Sequence, residues 1–536
     1  MRTREQLYRV IRPALGPALA ALVGLAWFWR FDPSGRSITG DGALFAHFGR
    51  RILDGDVPYR DFFDQKTPLV SYFNALTMGL GRVAGKSELT TMRAGYVLAA
   101  AVMVGILFLL ATELRTRWLG AVLGVAALLS YERVGAWVAA GSSPKLLMVL
   151  AGCAGWLLAV RGRWVLAGVF SATAFLAWQP GLIYLVVVNV LAFRRPGAPS
   201  RRRRFLCANA GFGVVVIATV GFFTAVGALG DVYRDTVVFN LFYVGQGATP
   251  PIQAIPSLFS RSNAIFGSSW PALALAIAGV VAVPVVWHRA RDRDRRAFVE
   301  SLAMYFALAS TFLLVSGGGE SDLIMLLPLL ALMPAALMAA IAEVLGTHPP
   351  RALVARGIAG AGLLAVVAAG SIADSEPGYN IHLQERAATR LARMAMLQRG
   401  DQVVSMGAFA FAALTSFPDP VKYLYTYSGL PRFVVEHEHG GVAYYVRLVS
   451  RTRPKLILYR HVSTLPRFNK WLARNYRRCR NTAALRALES SAVTATNRTE
   501  IWVLPGIARR STSCRPAAVV RRPRHSPRQA MLVSRS

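Results

Sequence analysis

The sequence predicts a polytopic α-helical membrane protein with about 11 transmembrane helices and a C-terminal extracytoplasmic α/β domain. Hydrophobic residues make up 54% of the 536 residues and charged residues only 16%, which is less charge than a soluble protein of this length usually carries. Apolar runs of bilayer-spanning length recur through residues 1–372. Short links between these runs carry many of the arginines, and such links orient a protein in the membrane. The net charge of +34 is therefore explained by orientation in a membrane, and no nucleic-acid partner is expected.

Arginine placement and the lengths of the apolar runs predict the topology. Four arginines between residues 2 and 12 precede the first span, which places the N-terminus in the cytoplasm and the next loop outside. The interval 164–193 is too long for one span and is broken at Gln179-Pro180-Gly181, because proline interrupts a helix. The apolar run 69–80 is short, so it is expected to be re-entrant or interfacial. The predicted spans are 13–29, 94–110, 118–129, 146–160, two short helices within 164–193, 205–229, 270–287, 301–315, 323–344 and 352–372.

This pattern divides the chain into three parts. Residues 1–373 form the transmembrane domain, and an odd number of spans places the rest of the chain on the outer side. Residues 374–510 are expected to form the extracytoplasmic α/β domain, since short apolar strands at 402–406, 455–459 and 500–504 alternate with helical stretches. Residues 511–536 are rich in Arg, Pro and Ser and predict a basic disordered tail. A disulfide between Cys479 and Cys514 remains an open question at this point.

The loop at 30–68, after the first span, is the main candidate for function. Its segment 39–68 holds five of the 27 acidic residues of the chain, together with several cations. Such a cluster at a membrane edge is costly to desolvate unless it is paired or solvated, so it is a candidate functional site. The charged residues of this segment are Asp41, Arg50, Arg51, Asp54, Asp56, Arg60, Asp61, Asp64 and Lys66.

The order of residues in this loop is specific. Asp41 is followed by Phe45 and Ala46, then by the turn Gly55-Asp56, and then by the exit Lys66-Thr67-Pro68 into an apolar helix. This pattern resembles the first extracytoplasmic loop of the C-type (GT-C) membrane glycosyltransferases, the group of dolichyl-phosphate-mannose protein mannosyltransferases and lipid A aminoarabinose transferases. The resemblance implies a GT-C-like fold in the bacterial inner membrane. It also implies transfer of a sugar from a polyprenyl-phosphate carrier to an extracytoplasmic glycan, lipid or protein of the cell envelope.

The sequence departs from that group at three places. A second acidic residue is usual before the fourth span, where this chain has Ser143, with Glu132 as the nearest acid. Gln65 stands where the aminoarabinose transferases have Glu, which puts a metal site there in doubt. Ser321-Asp322 replaces a His-Tyr pair that often precedes a late span.

The resemblance implies roles for particular residues. An acceptor hydroxyl needs a carboxylate as general base in an inverting displacement; Asp41 is the choice here, with Asp64 and Glu132 as further catalytic candidates. Negative charge that develops on the leaving phosphate needs nearby cations. The candidate phosphate-binding residues are Arg60, Lys66, Arg133 and Lys145. No residue is assigned to a metal, and dependence on a divalent metal stays open.

Structural explanations for the same acids and their neighbours also remain. Residues 42–53 are expected to form an amphipathic helix whose apolar face lies on the membrane surface. Asp41 would suit the N-cap of this helix, a role compatible with that of a base. Asp54 and Asp56 are more typical of turn residues. Asp61 and Asp64 would serve as solvated partners of neighbouring cations. Glu132 is more typical of an ion pair with Arg133. Lys66 would also suit a cation at the membrane interface. The run Glu-His-Glu-His at 436–439 is only a weak indication of a metal site.

Two other functions compete with the transferase. A catalytically inactive relative that acts as a scaffold in envelope assembly is compatible with Ser143 and with the missing His-Tyr pair. A transporter of lipids or sugars is less favoured, since the chain shows no repeated halves and its charges cluster in loops.

Overall fold

A computed structural model describes most of the chain. The residues outside the description are 1, 39, 116, 245–254, 257–259, 261, 263–265, 267–268, 317–319, 346–356, 358–359, 363–379, 426–428, 442, 461–464, 480–481, 490–498 and 511–536. The predicted span at 352–372 and the predicted tail at 511–536 therefore lie largely or wholly outside the described residues.

The N-terminal part of the chain is helical. Its helices are α1 (Arg2–Trp29), α2 (Gly40–Leu53), α3 (Leu69–Val83), α4 (Glu88–Thr112), α5 (Arg117–Leu129), α6 (Glu132–Ala140), α7 (Pro144–Val160), α8 (Trp164–Ala177), α9 (Leu182–Arg194), α10 (Arg201–Ala225), α11 (Leu229–Tyr233), α12 (Phe239–Phe242), α13 (Trp270–Arg289), α14 (Arg293–Ser316) and α15 (Leu327–Leu345). Short 3-10 turns at Gln179–Gly181 and Glu320–Leu326 precede α9 and α15, and a π turn at Arg234–Val238 joins α11 to α12.

Several helices meet the requirements for crossing a bilayer. Among the described residues, five are long and apolar enough, and a sixth candidate is the pair α5 and α6, which is bent by 71°. The five are Glu88–Thr112, Arg201–Ala225, Trp270–Arg289, Arg293–Val315 and Ser321–Leu345. Shorter apolar helices at Leu15–Trp29, Pro144–Val160, Trp164–Ala177 and Gln179–Arg194 match further predicted spans. The total of about 11 spans stays a prediction.

The break predicted at Gln179-Pro180-Gly181 is confirmed. α8 ends at Ala177, Trp178 is extended with φ −162° and ψ 138°, and α9 begins at Leu182. Proline lacks a backbone N–H and its ring clashes with the preceding turn, so the helix cannot continue through it. Trp178 is thereby released from helical geometry at the end of α8, and Gln179 begins the short 3-10 turn that leads into α9.

Helix α2 differs from the prediction in its start and in its environment. It begins at Gly40, so Asp41 lies in its first turn and is not the N-cap. The predicted apolar face is buried by protein, with Leu44 4%, Phe45 2% and Phe48 0% exposed, and is not free to lie on a membrane surface. α2 packs against α3 on one side and against a helix of the C-terminal region on the other.

The C-terminal region contains a small sheet and several short helices. The strands coincide with the three predicted ones and include a fourth, and the sheet has the order β1-β2-β4-β3. β1 and β2 are parallel, with Val403 opposite Leu456, whereas β4 is antiparallel to both β2 and β3. The elements are α16 (Ile381–Met394), β1 (Val403–Met406), α17 (Phe409–Leu414), α18 (Leu430–His437), α19 (Ala443–Thr452), β2 (Leu456–Arg460), α20 (Pro466–Asn475), β3 (Arg477–Cys479), α21 (Thr482–Glu489), β4 (Thr499–Val503) and α22 (Pro505–Arg510).

Hydrogen bonds join the C-terminal region to the loop at 30–68. The buried amide of Gln384 accepts from the N–H of Ile38 at 2.7 Å and donates to its carbonyl at 2.9 Å. Arg50 of α2 donates to the carbonyl of Ala413 at 2.9 Å. The N–H of Phe63 donates to the carbonyl of Lys422 at 2.9 Å. The loop is therefore fixed by residues more than three hundred positions later in the chain.

Candidate active site

A polar cavity of about 210 Å³ lies where α2, the loop after it, the start of α7 and the C-terminal region meet. Four of the predicted site residues line it, from two distant parts of the sequence: Asp41, Asp64, Lys66 and Lys145. Folding thus brings together the proposed base, a second carboxylate and two proposed phosphate ligands.

Lys145 is paired with a carboxylate that the sequence did not identify as a site residue. Its ammonium lies 2.6 Å from Asp322, and both side chains are nearly buried, at 9% and 11% exposure. It also donates to the hydroxyl of Ser321. The sequence feature that could have pointed to Asp322 was the replacement of the His-Tyr pair by Ser321-Asp322, in the turn that leads into α15. Because Asp322 already neutralises Lys145, this lysine contributes little free positive charge to the cavity.

Lys66 has a different environment. Its ammonium lies over the ring of Trp178, 4.9 Å from the ring centroid, and that of Lys145 lies 5.1 Å from the same ring. Within the described part of the chain, no carboxylate is in ion-pair distance of the Lys66 ammonium. Burial, and then the nearby charge of Lys145, lower the pKa of Lys66, while Asp41, Asp322 and Asp64 oppose that shift. Lys66 therefore lines the cavity as a cation without a carboxylate partner among the described residues.

Asp64 is buried, which contradicts its interpretation as a solvated partner of Lys66. It is 3% exposed, and its carboxylate accepts from the backbone N–H of Lys66 at 2.8 Å and from the hydroxyl of Ser71 at 3.4 Å. Burial raises the pKa of Asp64 from 3.8 to about 7, and the contacts with Lys66 oppose this rise. An aspartate that takes up a proton near neutral pH inside a polar cavity is typical of a functional group.

Asp41 is exposed and lines the same cavity from the first turn of α2. An acid in the first turn also interacts favourably with the positive end of the helix dipole. The side chain thus combines solvent access, which a base needs in order to release its proton, with a position held by a helix.

Two of the other predicted residues, Arg60 and Arg133, do not line the cavity. Arg60 is exposed, binds Asp61 at 2.9 Å and donates to the carbonyl of Val226 at 3.3 Å. Arg133 is half-buried in α6 and has contacts of its own. The side chain of Glu132, for which the sequence predicts an ion pair with Arg133, lies outside the described residues.

The remaining acids of the loop have structural partners. Asp56 forms an ion pair with Arg51, and Asp54 lies 3.5 Å from Arg82. Gly55 between them has φ +103°, a conformation that favours glycine, so the prediction of a turn there is confirmed. These contacts hold the end of α2 and do not involve the cavity.

The acidic and histidine-rich run at 436–439 lies at the end of α18. Tyr243 donates to Glu436, and Tyr423 donates to Glu438. The described residues contain no group of three or more His, Cys, Asp or Glu side chains with the spacing of a metal site. The contact of Tyr243 links the end of α12 to the C-terminal region, whereas that of Tyr423 lies within the C-terminal region.

Comparison with solved structures finds proteins of similar fold. The chain is similar to ArnT from Cupriavidus metallidurans in its crystal structure bound to undecaprenyl phosphate, with a TM-score of 0.52 and 14% sequence identity over 93% of this chain and 99% of that one. The apo structure of the same protein gives a TM-score of 0.50 at 15% identity, over 92% and 98% of the two chains. This likeness confirms the GT-C-like fold expected from the loop pattern. No family model and no curated protein sequence matches the chain.

Proposed function

We propose that this protein is a membrane glycosyltransferase that moves a sugar from a polyprenyl-phosphate carrier to an acceptor hydroxyl at the outer face of the membrane. The observation that carries the proposal is the cavity that Asp41, Lys66 and Lys145 line together. The likeness of the fold to ArnT, which was crystallised with undecaprenyl phosphate, supports a donor of this class.

The reaction needs one bond to form and one to break at the anomeric carbon. The acceptor oxygen attacks that carbon, its proton passes to the carboxylate of Asp41, and the bond from carbon to the phosphate oxygen breaks. The carrier leaves as a lipid phosphate monoester. Direct displacement inverts the anomeric centre, and a base in the position of Asp41 contributes about a hundredfold to ten-thousandfold to the rate.

The two lysines have unequal roles in this scheme. The phosphate gains negative charge as the bond to the sugar breaks, so a cation placed beforehand stabilises the transition state more than the ground state. Lys66 has no carboxylate partner among the described residues and supplies that charge first. Lys145 is held by Asp322 and contributes when the phosphate competes with that carboxylate.

The side of the membrane follows from the same proposal. The loop at 30–68 and the C-terminal region lie together, so both belong on the outer side if the N-terminus is cytoplasmic. Cys479 takes part in a disulfide, a bond typical of oxidising compartments outside the cytoplasm. Cys153 and Cys207, by contrast, are free thiols within helices α7 and α10.

Turnover of a radiolabelled lipid-linked sugar by the purified protein tests the proposal. With a panel of undecaprenyl-phosphate sugars, we expect the wild type to release labelled product and Asp41→Asn to lose about a hundredfold or more of the rate while binding undecaprenyl phosphate as before. Asp54→Asn is the matched control, because Asp54 is an exposed acid just after the opposite end of the same helix, does not line the cavity and lies 3.5 Å from Arg82. Full activity of Asp41→Asn would remove Asp41 from the mechanism. A wild type without turnover of any donor would favour the inactive scaffold.

A further inference from the structure

Two side-chain amides from distant parts of the chain donate to a single backbone carbonyl, that of Gln65. Nε2 of Gln179 lies 2.8 Å from this oxygen, and Nδ2 of Asn240 lies 2.7 Å from it. A carbonyl oxygen has two lone pairs, so its accepting capacity is filled by these two donors. The peptide that leads into Lys66 is therefore held from two sides.

The other polar backbone groups of Lys66 are also bound. Its N–H donates to the carboxylate of Asp64 at 2.8 Å, and its carbonyl accepts from the hydroxyl of Tyr59 at 2.9 Å. A lysine side chain is long and flexible, and ordering it has an entropic cost. Fixing the backbone on both sides of Lys66 limits the positions that its ammonium can reach.

The helix break after α8 accounts for the first of the two amides. In an unbroken helix, consecutive side chains point about 100° apart. The extended conformation of Trp178 changes this relation, so that its ring lies under the Lys66 ammonium while Gln179 donates to the Gln65 carbonyl. One interruption of an apolar helix thus supports both the side chain and the backbone of Lys66.

The second amide comes from the segment that contains the π turn. A π turn of Arg234–Val238 lies immediately before α12, and such single turns occur frequently at functional sites. Nδ2 of Asn240 also donates to the carbonyl of Thr236 at 2.9 Å. This bond holds the amide on its own helix in the orientation that reaches Gln65.

We propose that Gln179 and Asn240 are positioning residues that place the Lys66 ammonium on the phosphate of the lipid carrier. This inference rests on the proposed function, in which Lys66 binds that phosphate. Neither amide is among the residues that line the cavity, and both act through the Gln65–Lys66 backbone. If one amide is lost, the other still donates to the Gln65 carbonyl. If both are lost, this carbonyl has no side-chain donor, and the loop must move for it to find another partner.

The test measures the Kd of undecaprenyl phosphate for the full-length protein in detergent. Gln179→Met and Asn240→Leu, which keep side-chain size but remove the donor, should each raise Kd about threefold. The double variant should raise it about thirtyfold, more than the product of the two single effects, because groups that share one partner are not additive. The inference is overturned if the rise in Kd of the double variant equals the product of the two single rises. It is also overturned if neither the single variants nor the double variant changes Kd.

A second background separates positioning from general structural damage. In Lys66→Ala, the amide variants should change Kd less than twofold, because the group that they position is gone. A thirtyfold loss that persists in this background overturns the inference. An unchanged Kd for Lys66→Ala alone counts against the proposed function itself. If the larger substitutions prevent folding, Gln179→Ala and Asn240→Ala, which add no atoms, carry the same expectations.

Discussion

Replacing Asp64 by asparagine is expected to stabilise the folded protein at pH 8 and to leave its stability nearly unchanged at pH 4. The Asp64 carboxylate is almost fully buried and accepts from the N–H of Lys66 and the hydroxyl of Ser71. Asparagine has nearly the same shape and keeps one acceptor oxygen, but it carries no charge that burial would penalise.

The size of the effect follows from the pKa of Asp64, which burial raises from 3.8 to about 7. The native state keeps its proton up to about pH 7, whereas the unfolded chain releases it near pH 4, so the native state binds more protons between these values. The free energy of unfolding therefore falls as the pH rises through this window. At about 1.4 kcal/mol for each pH unit, the ionised carboxylate costs about 4 kcal/mol above pH 7 and nothing below pH 4.

Thermal unfolding of the purified protein in detergent, measured from pH 4 to pH 8, checks this expectation. The difference in unfolding temperature between Asp64→Asn and wild type should be near zero at pH 4 and grow to several degrees at pH 8. Asp54→Asn, at an exposed position, should follow the wild-type profile. Parallel profiles for wild type and Asp64→Asn would refute the reasoning, since they would show that Asp64 is not held protonated. We also expect the stabilised variant to transfer sugar more slowly, because a carboxylate that destabilises a fold is typically retained for activity.

Two further substitutions examine the phosphate-binding residues. Asp322→Asn frees the Lys145 ammonium, because it removes one competing charge in a partly buried site. The KM for the lipid donor should therefore fall about tenfold. A raised KM in steady-state turnover would contradict this expectation. Arg60→Met should leave the donor KM unchanged within about twofold, since an exposed ion pair contributes little and Arg60 contacts Asp61 and not the cavity; a large rise would restore Arg60 as a phosphate ligand.

The sequence predicted features that depend on neighbouring residues and missed those that depend on distant ones. The Pro180 break, the turn at Gly55 and three of the strands follow from local chemistry, and all were found. The pairing of Lys145 with Asp322 could not be predicted, because nothing local relates two residues so far apart in the chain. The burial of Asp64 was missed as well, because charge alone suggested a solvated partner of a nearby cation, whereas its carboxylate accepts from the Lys66 N–H and the Ser71 hydroxyl inside the fold.

The C-terminal region is part of the candidate site and not an independent appendage. Tyr425 lines the cavity, the Lys422 carbonyl accepts from the N–H of Phe63, and Gln384 satisfies both backbone groups of Ile38, three residues before Asp41. Without these partners, buried backbone groups on either side of the cavity would lack hydrogen bonds, at a cost of about 1–3 kcal/mol each. The loop at 30–68 would then satisfy them by adopting other conformations. The geometry that brings Asp41 and Lys66 to one cavity therefore requires the C-terminal region as well as the membrane-embedded helices.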